Sequence, residues 1–194
     1  MEGLLDIKFQ YQLTARLRLE PIGLHHVADL LHLHNDDGVA AWYGGGWTHA
    51  QAAAFAKTSE QAWQTEGVHE WMAFRKSDNA LVGRGGLSWA EIDDKKQLEI
   101  GWALRRKFWG QGFASEIGRQ GLHFAFSTVG AKAVVAYTEV HNVKSRAVME
   151  RLGMSYSKEI VAAGLVYGLE GVQEKAKFAL YCLNAADWHR LAEA

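Results

Sequence analysis

The sequence predicts a mixed α/β (α+β) protein with elements in the order β-α-α-β-β-β-α-β-α-β-β, seven strands and about four main helices. Three observations carry that prediction. Alternating or β-rich runs (HEWMAFR, ALVGRGGLSWAEI, KQLEIGWALR, MSYSKEIVAAGLVYG, KAKFALYCL) are separated by turn formers. A glycine-broken cationic turn, RRKFWGQGFASE, joins one of these runs to a helix-like run. The chain of 194 residues, 48% hydrophobic and 22% charged, has one proline and no linker-like tract, enough for one well-buried core and short for two. A single domain, 1–194, is expected.

Taken in order, TARLRLEPI sets Ala15, Leu17 and Leu19 against Arg16, Arg18 and Glu20, the alternation of a half-buried strand that Pro21 ends. Leu24, Val27, Leu31 and His34 recur at helical spacing until HNDDG breaks the pattern. After the loop VAAWYGGGW, Thr48 and Gln51 have capping-box spacing and open a second helix that Gly67 closes. The next three runs read as antiparallel strands. The helix from about Gly112 to Ser127 is apolar nearly all round and contains Gly118 and Gly121. Each glycine costs it about 1 kcal/mol relative to alanine. That cost makes sense where the helix lies very close to a sheet or a second layer. KAVVAYTEV reads as a short strand, parallel to its predecessor if the helix between them is a crossover. Asn142 is placed to cap the helix in HNVKSRAVMERLG, with Val148 and Leu152 as its apolar stripe and Gly153 as its stop. The last two runs form a hairpin through LEGVQE.

Bulk properties exclude several functions. A formal net charge of −1 offers no global attraction to nucleic acid or to an anionic membrane, so any anion site must be local. Cys182 stands alone, which excludes an intrachain disulfide and a cysteine-based zinc site and suits a reducing compartment. MEGLLDIKFQ carries acids, and no run approaches the roughly 20 apolar residues of a membrane span, so a soluble, cytoplasmic protein is expected.

The local anion site is the glycine-broken turn. Glycine permits close backbone approach. Amides opening a helix, with the positive end of its dipole, favour phosphate, and Arg105, Arg106 and Lys107 would add charge. GQGFAS lacks the last glycine of a dinucleotide fingerprint, and GxxxxGK[ST] is missing. His25, His26, His32 and His34 lie near Asp36 and Asp37, but HxH on one helix points its rings about 200° apart, so no metal site is expected. No GxSxG elbow supports a serine hydrolase. Trp42, Tyr43 and Trp47 surround GGG, either closing the end of the core or walling an acceptor pocket that holds a cationic amine.

KFWGQGFASE resembles the [QR]xxGx[GA] acetyl-CoA loop of the GNAT superfamily of N-acetyltransferases, with Lys107 in the first position. LEIGWAL before it and HNVKSRAVMERLGM after it strengthen the likeness. TARLRLEPI and FALYCLNAADWHRL resemble the first and last strands of the RimJ/RimL-type branch, the ribosomal-protein N-terminal acetyltransferases and their relatives. The resemblance spans roughly residues 14–190. It implies a mixed, mostly antiparallel sheet splayed in the middle, with acetyl-CoA between KQLEIGWALR and KAVVAY. Amides of Gly110, Gln111, Gly112, Phe113, Ala114 and Ser115 would surround the pyrophosphate, with Arg105 and Lys107 nearby. Ala103 and Leu104 would pair with the pantetheine arm, while Asn142 and Ser145 line the opposite wall.

The resemblance further implies acetyl transfer to a primary amine in a ternary complex. An amine with a pKa of about 8 to 10 must lose a proton before it attacks. Glu99 is the implied base and Ser145 the partner of the departing thiolate, with Tyr137 and Tyr156 in reserve. The acceptor would be a protein N-terminal α-amine or an amine-bearing small molecule, held by Trp42, Tyr43 and Trp47. No metal, nucleic acid or membrane is implied, and a homodimer stays open. The rival is a non-catalytic acyl-CoA-binding module or scaffold on the same fold.

Overall fold

The structure, a computed structural model, describes residues 11–166 and 171–192. The stretch MEGLLDIKFQ and residues 167–170 of the last hairpin lie outside the described residues. The strands are β1 (Gln12–Leu13), β2 (Leu17–Pro21), β3 (Glu70–Arg75), β4 (Leu81–Ile92), β5 (Lys95–Leu104), β6 (Ala133–Glu139), β7 (Ser155–Leu165) and β8 (Val172–Asn184). The helices are α1 (Val27–His34), α2 (Asp37–Ala40), α3 (His49–Thr65), α4 (Phe113–Phe124), α5 (Val143–Arg151) and α6 (Ala185–Ala192).

The fold class is the expected one, with eight strands and six α-helices among the described residues in place of the seven strands and about four main helices expected. β1 is a two-residue edge strand, too short to show a pattern. α2 lies where the sequence reads as loop, and the Asp36 side chain caps it by accepting from Gly38 N. NAADWHRL, expected to continue the last strand, is helical from Ala185, because Asn184 Oδ1 accepts from Asp187 N and turns the chain.

All strands join one sheet in the order β1-β2-β3-β4-β5-β6-β8-β7. The three middle strands are antiparallel, and β5 and β6 are parallel as the crossover requires. Alternate residues of β3 divide between two apolar clusters. Trp71 and Ala73 pack with Ile117 and Leu122 of α4, while Met72 and Phe74 pack with Leu30 and Leu33 of α1 and Ala52 and Ala56 of α3. The sheet thus lies between α1–α3 on one face and α4–α5 on the other.

β5 and β6 are in register only at Glu99 opposite Val135. From there to Leu104 the inner edge of β5 has no strand partner among the described residues, whereas β6 pairs with β8 over its whole length. This split creates the site.

The two α4 glycines are explained by close approach. A Cβ on Gly118 would stand 2.5 Å from Leu152 Cδ1 of the α5 layer, and one on Gly121 would stand 2.8 Å from Ile100 Cδ1 of β5. Gly121→Val is expected to overpack this contact and cost about 1–3 kcal/mol. Urea unfolding would show it, and a midpoint equal to the wild type's would refute the close packing.

Candidate functional site

A cavity of about 1080 Å³ occupies the split between β5 and β6 and extends to the start of α4. That exceeds the roughly 300–1,000 Å³ of most small-molecule sites and leaves room for two reactants.

One end is built by the turn before α4. Gly110 and Gly112 have φ of +73° and +81°, the left-handed region where a side chain is strained. A Cβ on Gly110 would meet nothing within 4 Å, and one on Gly112 only Arg16 Nη2, at 3.5 Å. Backbone conformation, not crowding, therefore demands glycine here. Gly112 is the N-cap of α4 and no side chain caps the helix, so its first amides face the cavity together with Phe113, Ala114 and Ser115.

Arg16 holds this turn in place. Its Nη1 donates to the Gln111 carbonyl at 2.9 Å, its Nε donates to Glu116 Oε2 at 2.7 Å, and its guanidinium lies over the Phe113 ring. Glu116 also accepts from the Thr14 hydroxyl. These bonds hold its carboxyl below the usual range against the opposing effect of burial.

The middle of the cavity is a charged cluster on the α1–α3 face of the sheet. Met72 pairs with Arg84 and Ser88 with Glu99 across neighbouring strands, which brings Glu70, Arg84 and Glu99 onto one face. Arg84 is 5% exposed. Its Nη1 donates to Glu70 Oε2, its Nε to His34 Nε2 at 3.1 Å and its Nη2 to the Tyr43 hydroxyl at 2.8 Å. Burial, and then the Arg84 charge, push the His34 imidazole down to about 2, so it stays a neutral acceptor.

Glu99 stands where the two strands part, half-buried and facing the cavity. Burial, then the neighbouring Glu70 carboxylate, push its carboxyl up to about 7. A bond from the Ser88 hydroxyl at 3.1 Å and the Arg84 charge pull the other way. A carboxyl poised there exchanges a proton readily near neutral pH.

Most residues expected from the sequence meet in this cavity. Glu99, Ala103, Leu104, Gly110, Gly112, Phe113, Ala114, Ser115, Asn142 and Ser145 line it, as do Trp42 and Tyr43. Asn142 accepts from Ser145 N at 3.2 Å and caps α5, presenting Ser145 on the wall opposite Glu99. Of the reserve tyrosines, Tyr137 lines the cavity, while Tyr156 is 54% exposed against Tyr181.

Four expected residues stand elsewhere. Arg105 lies 3.5 Å from Asp36 in an ion pair, drawn there by the acidic N-cap of α2. Lys107 is exposed over the Phe108 ring, and Gln111 donates to the Lys107 carbonyl. Trp47 stacks on His34 at 3.3 Å between ring centroids, behind the cavity wall.

Conversely, sequence reasoning missed Glu70, Arg84, Glu139, Lys144 and Arg151, all of which line the cavity. Lys144 and Arg151, two helical turns apart, could have been found from that spacing. Glu70 and Arg84 carry no local signal. Among the described residues, Glu20, His25 and His26 alone gather as candidate metal donors, outside the cavity.

Comparisons with known proteins follow the same lines. Residues 16–155 match the profile of the Acetyltransferase (GNAT) domain. The chain is 30% identical to the Bacillus subtilis protein YkkB over 76% of its own length and 86% of that protein's. It is also 30% identical to the FsC-acetyl coenzyme A-N(2)-transacetylase of Aspergillus fumigatus over 74% of its length, spanning 64% of the fungal protein. Its fold is similar to the ribosomal-protein-S5-alanine acetyltransferase of Vibrio fischeri, with a TM-score of 0.74 at 15% identity, covering 92% of this chain and 98% of that one.

Proposed function

Because the chain belongs to the GNAT acetyltransferase family, we propose that it is an acetyl-CoA-dependent N-acetyltransferase whose acceptor is a primary amine, attacking directly in a ternary complex. The observation that carries this is the placement of Glu99. A carboxyl held near 7 stands at the point where β5 and β6 part, in the same cavity as an uncapped helix start.

The residues fit coenzyme A. The α4 amides behind Gly110 and Gly112 suit a diphosphate, and the unpaired edge of β5 at Ala103 and Leu104 suits an extended amide-bearing arm. Lys144 and Arg151 supply the cations on the facing helix, in the role first expected of Arg105 and Lys107. Acetyl-CoA supplies an activated acetyl thioester. Glu99 accepts the proton that a primary amine must lose, directly or through water. The Ser145 hydroxyl, which lines the same cavity, would donate a hydrogen bond or proton to the departing thiolate. The Aspergillus relative is named for an acetyl coenzyme A reaction, which supports the donor. The Vibrio structure supports the RimJ/RimL-type branch at the level of fold.

Thiol release from acetyl-CoA across a panel of peptides and small amines tests the reading. Turnover with at least one amine supports it, and binding of coenzyme A without turnover would favour a non-catalytic acyl-CoA-binding module. Gly112→Val places a branched side chain at φ +81° over the helix start. It is expected to weaken coenzyme A binding at least about 100-fold, or roughly 2.7 kcal/mol. Wild-type affinity by calorimetry would contradict the assignment of this turn.

A further inference from the structure

The acidic side chains lining the cavity are not equally provided with partners. Glu70 is paired with Arg84, and Glu99 has the Ser88 hydroxyl and a proton of its own near neutrality. Glu139, at the end of β6, is 9% exposed and lines the cavity. Among the described residues it has no ion pair, and its side chain's hydrogen bond is a long one, 3.4 Å from the Thr138 hydroxyl beside it. A buried carboxylate without a cation is disfavoured unless something arriving from outside supplies one.

The surroundings of Glu139 match a cation. Phe178 pairs with it across β6 and β8, and Tyr137 precedes it by two residues on the same face. These two rings pack at 5.6 Å, and Trp42 stacks on His141 just beyond. Trp42, Tyr137 and Phe178 all line the cavity, so aromatic faces flank the carboxylate. Glu99 and Glu139 both act on the hydroxyls of Tyr43 and Tyr137, so the two carboxylates share one compartment.

We infer that the acceptor carries a second cationic group, and that Glu139, with Tyr137, Phe178 and Trp42, is the subsite that holds it. This rests on the acetyltransferase reading above and narrows its substrate class to small diamines. Val135 lies opposite Glu99, and Glu139 is four residues farther along β6, on the order of 13 Å of strand. The reach of the two side chains shortens that distance. A flexible α,ω-diamine spans it with one neutral nitrogen at Glu99 and one ammonium at Glu139.

The test is thiol release from acetyl-CoA with diaminoalkanes from 1,3-diaminopropane to 1,8-diaminooctane, against monoamines and amino alcohols of equal length. At least one diamine is expected to exceed its monoamine in kcat/KM by tenfold or more, about 1.4 kcal/mol. Glu139→Gln should bring that ratio toward one, and Glu139→Asp should restore part of it. Equal kcat/KM for diamines and monoamines in the wild type, or an unchanged ratio in Glu139→Gln, would overturn the subsite and leave the acetyltransferase reading standing. Coenzyme A binding with no turnover of any amine would overturn both.

Discussion

Glu99→Gln is expected to lower kcat about 10²-fold or more at neutral pH, the range of a general base, while coenzyme A binding stays near the wild type's. Glutamine keeps the size of the side chain and its acceptor for Ser88, and it loses only the exchangeable proton. The wild-type kcat should climb as pH rises through about 7, because Glu99 accepts a proton only once it has released its own. In Glu99→Gln that limb should be missing. Identical profiles for the two proteins would remove Glu99 as the base.

The same residue makes a stability prediction of opposite sense. Its carboxyl is pushed by burial above the ordinary value of 4.5, to about 7, so between those values the folded state holds a proton that the unfolded chain has released. Wild-type stability therefore falls as pH rises through this window and levels off above it. Glu99→Gln, with nothing to ionise, should melt higher than the wild type at pH 8 and close to it at pH 4. A variant that gains residual stability and loses rate separates a catalytic role from a structural one.

Arg84→Met carries the second large effect. It leaves the Glu70 carboxylate buried without its cation, which costs about 3–5 kcal/mol. For a chain of 194 residues that is a fall in melting temperature on the order of 6–20 °C. Adding Glu70→Gln should restore much of the loss, because the charge that must be buried is then gone. The ion pair also acts on the proton affinity of Glu99, the proposed base. Arg84 pulls the Glu99 carboxyl down and Glu70 pushes it up. The Arg84→Met limb of kcat should therefore move to higher pH, and the limb of the double variant should lie below that. A melting loss under about 1 kcal/mol, or limbs that do not move, would dissolve the proposed coupling.

The boundary between what was legible and what was not follows the range of the interactions. Thr48 with Gln51 and Asn142 with Ser145 satisfy backbone groups within three residues, and Gly112 takes up the conformation that opens α4 through its own missing side chain, so the chain spells them out. Alternation in β2 through β5 likewise names strands without their partners. Arg105 shows where this fails. It sits in the turn where the pattern predicts an anion site, yet Asp36, far off in sequence, is close in space and pairs with its charge.

By itself, then, the sequence determined most of the strands and helices, though not β1, α2 or α6, and it marked the glycine-broken turn that opens α4, while the family resemblance added Glu99. Tertiary structure alone decided that β8 inserts between β6 and β7, that the split between β5 and β6 implied by the resemblance begins at Glu99, and that Glu70, Arg84, Glu99 and Glu139 from four strands line one cavity. The reason is physical. Caps and turns are settled by bonds between near neighbours in the chain, whereas strand order, burial and the proton affinity of a carboxyl depend on which distant segments exclude water from it.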